Sequence, residues 1–363
     1  MTEPTGEQSP PAAPAPTKKL PIAPLALEQA PPRLVGSDGA PVAGTWSGSA
    51  VSTSFAGLSG AYARSFLERR LVEKKWQYLS LATPQYLFAF AIIDTGYLAS
   101  GLCALFDRGA RRLLIDDNPV LPPGCASVSE EANDGLRARL VGPGIRASIE
   151  RHGGRVLLSA KWGRASIDLS LDARAAPPAL SALCPLGPGR FDFTQKMIGL
   201  PAEGEIRVGN ATFLARGELA GLDYTHGYLE RDTSWRWAFA SGRLGSHPDS
   251  QVIGFNFSEG FLPGGLGENV VWIDGAPRAV GPVSFQFDEK AALAPWQVQS
   301  ADGSVELTFA PEGMRTQNTD LKLVSSRYLQ PFGSFSGHVT SGAGERIRIE
   351  ALAGVTEDHS ARW

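Results

Sequence analysis

Hydrophobic and polar residues alternate in short runs along most of the chain. Residues 76–81 alternate large and polar side chains, and residues 86–93 form a continuous apolar run typical of a strand buried on both faces. Further runs flank glycine-containing turns, for example residues 145–150 and 155–160 on either side of His152-Gly153-Gly154. The pattern predicts antiparallel hairpins that follow one another without intervening helices.

The absence of strand–helix alternation disfavours a doubly wound sheet and a TIM barrel. Sandwiches and closed barrels both fit the pattern, because each removes exposed sheet edges. We favour two barrels, since roughly 290 residues of hairpins are too many for one small barrel. The turn-rich pattern also restarts near residue 216. The predicted fold class is therefore all-β, with two antiparallel β-barrels or curved sheets.

One segment has helical rather than strand spacing. In residues 61–75, Phe66, Leu67, Leu71 and Val72 recur at helical intervals between charged residues, which predicts a short amphipathic helix covering a sheet or barrel end. Residues 1–32 are rich in Pro and Ala and predict a disordered tail. The expected domains are 33–215, which includes the helix, and 216–363.

Composition excludes several classes of function. The 363 residues carry a net charge of -3, so a chain-wide basic footprint for nucleic acid is absent. Three widely spaced cysteines without a CxxC pair indicate buried thiols in a reducing compartment. The N-terminus lacks the pattern of a secretory signal, and no apolar stretch reads as an integral membrane segment. A cytoplasmic location is expected, with no metal and no cofactor.

The densest set of chemically useful residues lies between positions 221 and 237. In a strand, Trp235 and Trp237 point to the same face and form an apolar wall for a flat or polyene-like ligand. A carboxyl beside such a wall has a raised pKa and serves as a general acid. The segment supplies three candidate catalytic residues, with the carboxyls as acids and the histidine as base or hydrogen-bond partner: Glu230, Asp223 and His226. Tyr228 is a further candidate ligand contact. The alternative is that both tryptophans are plain core.

A second segment, residues 251–275, supplies further ligand-binding candidates. Asn256, Glu268 and Asn269 lie around a glycine-rich loop that has neither the GxGxxG nor the P-loop spacing. Glu268 either faces the same cavity as the tryptophans or closes a turn. At the C-terminus, Glu357, Asp358 and His359 are consecutive, and alternation prevents all three from binding one ion from a regular strand.

Several motifs together resemble an uncharacterised family, domain of unknown function 2804. They are Lys75-Trp76-Gln77-Tyr78, Glu230-Arg231-Asp232-Thr233-Ser234-Trp235-Arg236-Trp237-Ala238, Gly267-Glu268-Asn269, Asp274-Gly275, Gln330-Pro331-Phe332-Gly333 and residues 357–363. More loosely, residues 227–230 with Trp235-x-Trp237 look like the core motif of carotenoid 1,2-hydratase and tocopherol cyclase-like proteins. That likeness implies two lipocalin-like (calycin-type) barrels that handle hydrophobic ligands, some with cofactor-free, acid-assisted hydration or cyclisation.

The leading functional hypothesis is that the C-terminal barrel binds a hydrophobic small molecule or lipid. Cofactor-free acid–base hydration, isomerisation or cyclisation of that molecule is part of the hypothesis. The alternative is a non-catalytic structural or lipid-carrier protein with a filled core. An open cavity holding an ionisable group near Trp235 separates the first hypothesis from the second.

Overall fold

The structure is a computed structural model that describes residues 24–245, 247, 249–262, 267–273, 275–320, 322 and 324–363. Within these residues the chain is nearly all β with one short α-helix, and the strands form two antiparallel curved sheets. The predicted fold class is confirmed. Residues 1–23 of the predicted tail, loop residues 263–266 and Asp274 of the predicted turn lie outside the described residues.

The chain is a series of hairpins. The strands up to Tyr228 are β1 (Leu25–Ala26), β2 (Gly44–Ser47), β3 (Glu73–Ala82), β4 (Tyr86–Asp94), β5 (Ala99–Asp107), β6 (Arg112–Asp117), β7 (Val120–Leu121), β8 (Ala126–Val128), β9 (Arg137–Gly142), β10 (Ile145–His152), β11 (Arg155–Trp162), β12 (Ala165–Asp172), β13 (Leu180–Gly187), β14 (Arg190–Val208) and β15 (Ala211–Tyr228). The later strands are β16 (Asp232–Arg243), β17 (Val252–Glu259), β18 (Val270–Ile273), β19 (Ala276–Ala279), β20 (Val283–Gln286), β21 (Trp296–Ser300), β22 (Val305–Asp320), β23 (Ser325–Thr340) and β24 (Arg346–Arg362). Helix α1 spans Phe66–Val72, and a 3-10 helix spans Gly60–Tyr62.

The first sheet has fourteen strands and curves around its own apolar core. Its order is β6-β5-β4-β3-β15-β14-β12-β11-β10-β9-β8, with β7 paired to β5, and β13 paired to β14 and β2. Strand β11 shows how the sequence builds this core. Val156, Leu158 and Ala160 are buried, while the residues between them are exposed. The two-residue period thus sets which face of the sheet packs inward.

The second sheet has ten strands in the order β1-β19-β18-β17-β16-β24-β23-β22-β21-β20. Its concave side is filled by aromatic and aliphatic side chains, including Phe255, Trp296 and Phe335. The rings of Phe255 and Phe335 meet edge to face, with centroids 4.8 Å apart. This side of the sheet is a packed core.

A third apolar cluster lies where the two sheets face each other. Phe106 of β5 stacks on Phe332 of β23, with centroids 5.9 Å apart. Glycine allows the close approach at Gly313, because a Cβ there would lie 2.3 Å from a ring atom of Phe106. Beside this contact, the Arg108 guanidinium of the first sheet binds the Glu312 carboxylate of the second at 2.6 Å. The two sheets are therefore joined by packing and by charge.

Helix α1 is shorter than predicted, and of its apolar residues only Val72 packs on the core of a sheet. Ser65 and Glu68 form a capping box that fixes its start, and the alternation of β3 already begins at Glu73. Phe66, Leu67 and Leu71 face solvent. The side that faces the protein carries Arg69, which binds the carboxylates of Glu73 and Glu130. Helical spacing shows which residues share a face but not which face meets the protein.

Two predicted domain boundaries fall inside ordered structure. Residues 24–32, assigned to the tail, include β1, which pairs with β19, and Gln29, which bridges to Ser47. The division at residue 216 falls within β15, because the pairing of β15 with β14 and β3 continues to Tyr228. The chain passes from the first sheet to the second between Tyr228 and Asp232.

Candidate active site

A cavity of about 210 Å³ lies between the two sheets. Its walls are mainly apolar and come from both sheets. The aromatic residues of its inner wall are Trp76, Tyr78, Trp235, Trp237 and Tyr328. Trp76 of β3 stacks on Trp235 of β16 with centroids 6.4 Å apart, so both sheets contribute to the wall. The cavity is thus not inside the C-terminal barrel, where the hypothesis placed it, because that space is packed.

Strand alternation carries the polar residues into this cavity. On β24, Glu357 and His359 line the cavity, while Asp358 between them points away and binds Arg236 and Arg327. In the register of β16 with β24, Trp237 lies opposite Glu357. Alternation along β24 therefore places Asp358 on the opposite face from Glu357 and His359. Among the described residues, no group of three His, Cys, Asp or Glu side chains is arranged to hold a metal.

Glu357 is a buried carboxyl at the centre of the aromatic wall. Trp235 Nε1 donates a hydrogen bond to its Oε1 at 2.7 Å. Tyr328 Oη and Gln330 Nε2 donate to Oε2 at 2.8 and 3.2 Å. Burial raises the pKa of Glu357 to about 7, although these hydrogen bonds favour the carboxylate. A side chain with this pKa exchanges a proton near neutral pH.

A second polar group forms the deeper end of the cavity around Lys196. Lys196 Nζ lies 2.5 Å from Asp223 Oδ1 and 3.4 Å from Glu268 Oε2. Burial opposes its charge, but the two carboxylates outweigh burial and raise the pKa of Lys196. Burial also raises the pKa of the neighbouring Asp192 well above its usual range. The buried Lys196 ammonium therefore pairs with the carboxyl groups of Asp223 and Glu268. The neighbouring Asp192 favours its protonated form.

Six of the nine predicted site residues lie in or beside the cavity. Four of them line it: Asp223, Trp235, Trp237 and Glu268. Asn256 lies behind this lining, where Oδ1 accepts from Trp237 Nε1 at 2.8 Å and Nδ2 donates to the Glu268 carbonyl at 2.8 Å. Asn269 Oδ1 accepts from the Ser258 backbone N–H at 2.7 Å. The two asparagines thus position lining residues.

The structure places the other three predicted residues outside the cavity. His226 and Tyr228 lie on the opposite face of β15 from Asp223, inside the first sheet. His226 Nε2 is 2.7 Å from Glu73 Oε1, and burial lowers the pKa of this histidine. Glu230 follows the end of β15, is half exposed and lies 3.3 Å from Arg190. His226 lies three residues after Asp223 on the same strand, so its side chain points to the opposite face, away from the cavity. Glu230 lies beyond the end of β15 and is therefore at the surface.

A family model described as "Domain of unknown function (DUF2804)" matches residues 28–363. The chain belongs to this family. The family resemblance drawn from the sequence motifs is confirmed, and the match spans both sheets of this DUF2804 protein. A comparison with functionally curated proteins gave no significant match.

Three solved structures are similar to this DUF2804 protein at low identity. An AttH candidate from Nitrosomonas europaea is 14% identical, with a TM-score of 0.47, and the match covers 80% of this chain and 92% of that one. Kievitone hydratase from Nectria haematococca is 10% identical, with a TM-score of 0.43 and coverage of 95% and 98%. CghA with Sch210972 is 11% identical, with a TM-score of 0.49 and coverage of 92% and 97%.

Sequence reasoning missed Lys196, Asp192 and Tyr328 as cavity residues, and it weighed Glu357 only as a metal ligand. The sequence does not single out Lys196, because it follows two other polar residues, Thr194 and Gln195. Glu357 and His359 are separated by one residue, which places them on one face. What the sequence does not show is that β24 lies beside β16, which brings Glu357 opposite Trp237.

Proposed function

We propose that this DUF2804 protein binds an apolar small molecule in the cavity between its sheets and transforms it by cofactor-free proton transfer. The observation that carries the proposal is the buried Glu357 carboxyl, hydrogen-bonded to Trp235 in an aromatic wall. An open cavity with an ionisable group near Trp235 is the arrangement that the leading hypothesis requires. Hydration, isomerisation and cyclisation are the reactions that such a site suits.

Apolar walls supply the binding free energy in this proposal. Large aromatic side chains bury much area and stack on flat or conjugated molecules. Trp76 and Trp235 offer such surfaces, while Ala91 and Leu102 leave space between the sheets. The ligand would be apolar over most of its length, because the charged groups gather at the deeper end around Lys196.

Two carboxyl groups in different environments supply the acid and the base. Glu357 has a pKa near neutrality and serves as the proton donor, whereas Asp223 is held in an ion pair by Lys196 and serves as the acceptor. In a hydration, Glu357 would protonate one alkene carbon and water would add to the next, giving its proton to Asp223. Solvent exchange then returns both groups to their starting states. Groups of this kind contribute about 10²–10⁴-fold to a rate.

Binding of an uncharged fluorescent probe tests the proposed cavity. We expect N-phenyl-1-naphthylamine to bind in the cavity and to quench the fluorescence of the tryptophans that line it. Trp235→Ala removes a stacking surface and should weaken binding at least about tenfold. Trp162→Phe is the matched control, because Trp162 packs on Phe90 inside the first sheet.

The comparison of the two tryptophan variants decides the outcome of this experiment. Equal affinity of the parent, Trp235→Ala and Trp162→Phe proteins, all with unchanged melting temperatures, would place the probe elsewhere. Loss of affinity in Trp235→Ala alone supports the cavity as the binding site.

A further inference from the structure

Helix α1 exposes an apolar face that nothing in the described structure covers. Phe66 and Leu67 are each 72% exposed and Leu71 is 63% exposed. These are three of the ten exposed large hydrophobic residues of the described chain, and they fall within six consecutive positions. Single exposed apolar residues are ordinary, whereas a cluster of them marks a contact surface.

Polar contacts hold this helix in place with its apolar face outward. Arg69 binds the carboxylates of Glu73 and Glu130, and Arg70 Nη2 donates to the Gly96 carbonyl at 2.6 Å. The capping box of Ser65 and Glu68 fixes the first turn. The exposed face is thus a property of an anchored helix.

The helix lies at the end of the molecule where the cavity reaches the surface. We call Tyr97, Leu98, Val324 and Trp363 the cavity mouth, since they line the cavity and are partly exposed. Arg70 contacts Gly96, the neighbour of Tyr97. Lys74, two residues beyond α1, has Nζ 4.8 Å from the Tyr97 ring and 6.0 Å from the Trp363 ring.

Strand register independently places α1 at this end. Strand β3 begins directly after α1, and its first residue, Glu73, pairs with the last residue of β15. In the second sheet, Ser325, the first residue of β23, pairs with Arg362 at the end of β24, and both residues line the cavity. The deeper end of the cavity, with Asp192 and Lys196, is buried.

We infer that α1 docks this protein on a lipid surface, with the cavity mouth facing the lipid. A second protein copy is the weaker occupant, because a seven-residue helix is about 10 Å long. Three of its side chains supply far less than the ~800 Å² per partner of a standard interface. A lipid surface accepts a small apolar insertion with aromatic residues beside it. This inference rests on the proposed function, because the lipid surface would deliver the apolar ligand that the cavity binds.

Charge at the helix favours an anionic lipid. Arg64 and Arg70 flank the apolar face, and their hydrogen-bond acceptors in the described structure are backbone carbonyls. In the described structure Arg70, whose guanidinium lies 5.7 Å from the Phe66 ring, forms no ion pair, so its charge stays available to lipid phosphates. Arg64 lies near the Glu68 carboxylate, and the charge of Arg69 is matched by two carboxylates. Each basic group near an anionic surface adds a modest, salt-dependent attraction.

Vesicle flotation tests the inference on the full chain. We expect the protein to float with vesicles of phosphatidylcholine and phosphatidylglycerol, and less with phosphatidylcholine alone. The triple variant F66S/L67S/L71S should bind at least about tenfold more weakly, because it loses the inserted apolar area. The control V141S/L157S removes two exposed apolar residues of β9 and β11 and should float like the parent.

Three results would overturn the docking inference: no flotation of the parent, equal flotation of the triple variant, or a parent dimer that the triple variant converts to monomer in light scattering. Probe binding without vesicles is measured on the same samples. Probe binding without flotation would contradict docking and leave the proposed function standing. Flotation without probe binding would contradict the proposed function and leave docking standing.

Discussion

Lys196→Met is expected to lower the free energy of unfolding by about 3–5 kcal/mol, because it leaves buried carboxylates without their cation. The Lys196 side chain is 5% exposed and bridges Asp223 and Glu268. Methionine keeps a similar length but has no charge. Chemical denaturation at neutral pH measures the loss, and the slope with denaturant shows whether the folded state keeps its compactness.

Two further variants show whether this loss comes from the buried charge. Lys161→Met removes an exposed lysine and should change stability by less than about 0.5 kcal/mol. Adding Asp223→Asn to Lys196→Met should restore part of the lost stability, since one unpaired carboxylate is removed. A Lys196→Met protein as stable as its parent would contradict the ion-pair cluster.

Glu357→Gln is expected to change how stability depends on pH. The pKa of Glu357 is about 7 in the folded state against an ordinary 4.5. Between these values the folded state binds more protons than the unfolded state, so Glu357 makes stability fall as pH rises. The difference of about 2.5 in pKa corresponds to about 3 kcal/mol, fully lost above pH 7. Glutamine does not titrate, so the free energy of unfolding of the variant, relative to that of the parent, should rise by about this much between pH 4.5 and pH 8.

The comparison between variant and parent isolates Glu357 from other titrating groups. Burial lowers the pKa of His359 to about 3, so that histidine makes stability rise with pH over part of the same range. Because His359 Nδ1 lies 3.9 Å from Glu357 Oε1, the comparison is repeated in a His359→Gln background, where this histidine no longer titrates. Glu230→Gln is the matched control, because the half-exposed Glu230 lies outside the cavity. A stability difference that stays constant with pH for Glu357→Gln would show that Glu357 titrates as an ordinary carboxyl.

The fold class was predictable because strand period and turn residues are local signals. The hairpin around Gly153 and Gly154 forms as predicted, and both glycines have the positive φ that such a turn favours, at 58° and 73°. The inverted orientation of α1 was not predictable. Spacing groups Leu67 with Leu71 on one face, but the contacts of Arg69 with distant Glu130 decide which face meets the protein.

The candidate site was predictable where one strand carries it. Trp235 and Trp237 share a face of β16 and reach the cavity together. Local order also placed Tyr228 and Glu230 near Trp235 in sequence, yet the strand ends between them. Glu357 comes from a strand 120 residues later, and Lys196 comes from the other sheet. Sequence alone does not give the pairing of distant strands that joins these residues.

Native mass spectrometry of the protein purified from its own host examines the cavity as a ligand site. We expect an apolar molecule bound to the parent chain and absent from Ala91→Phe, since Ala91 lines the cavity and a phenyl ring would fill it. Ala110→Phe makes the same change at an exposed turn and should keep the bound molecule. A parent chain without any bound apolar molecule, or an Ala91→Phe chain of unchanged fold that retains it fully, would contradict ligand binding between the two sheets.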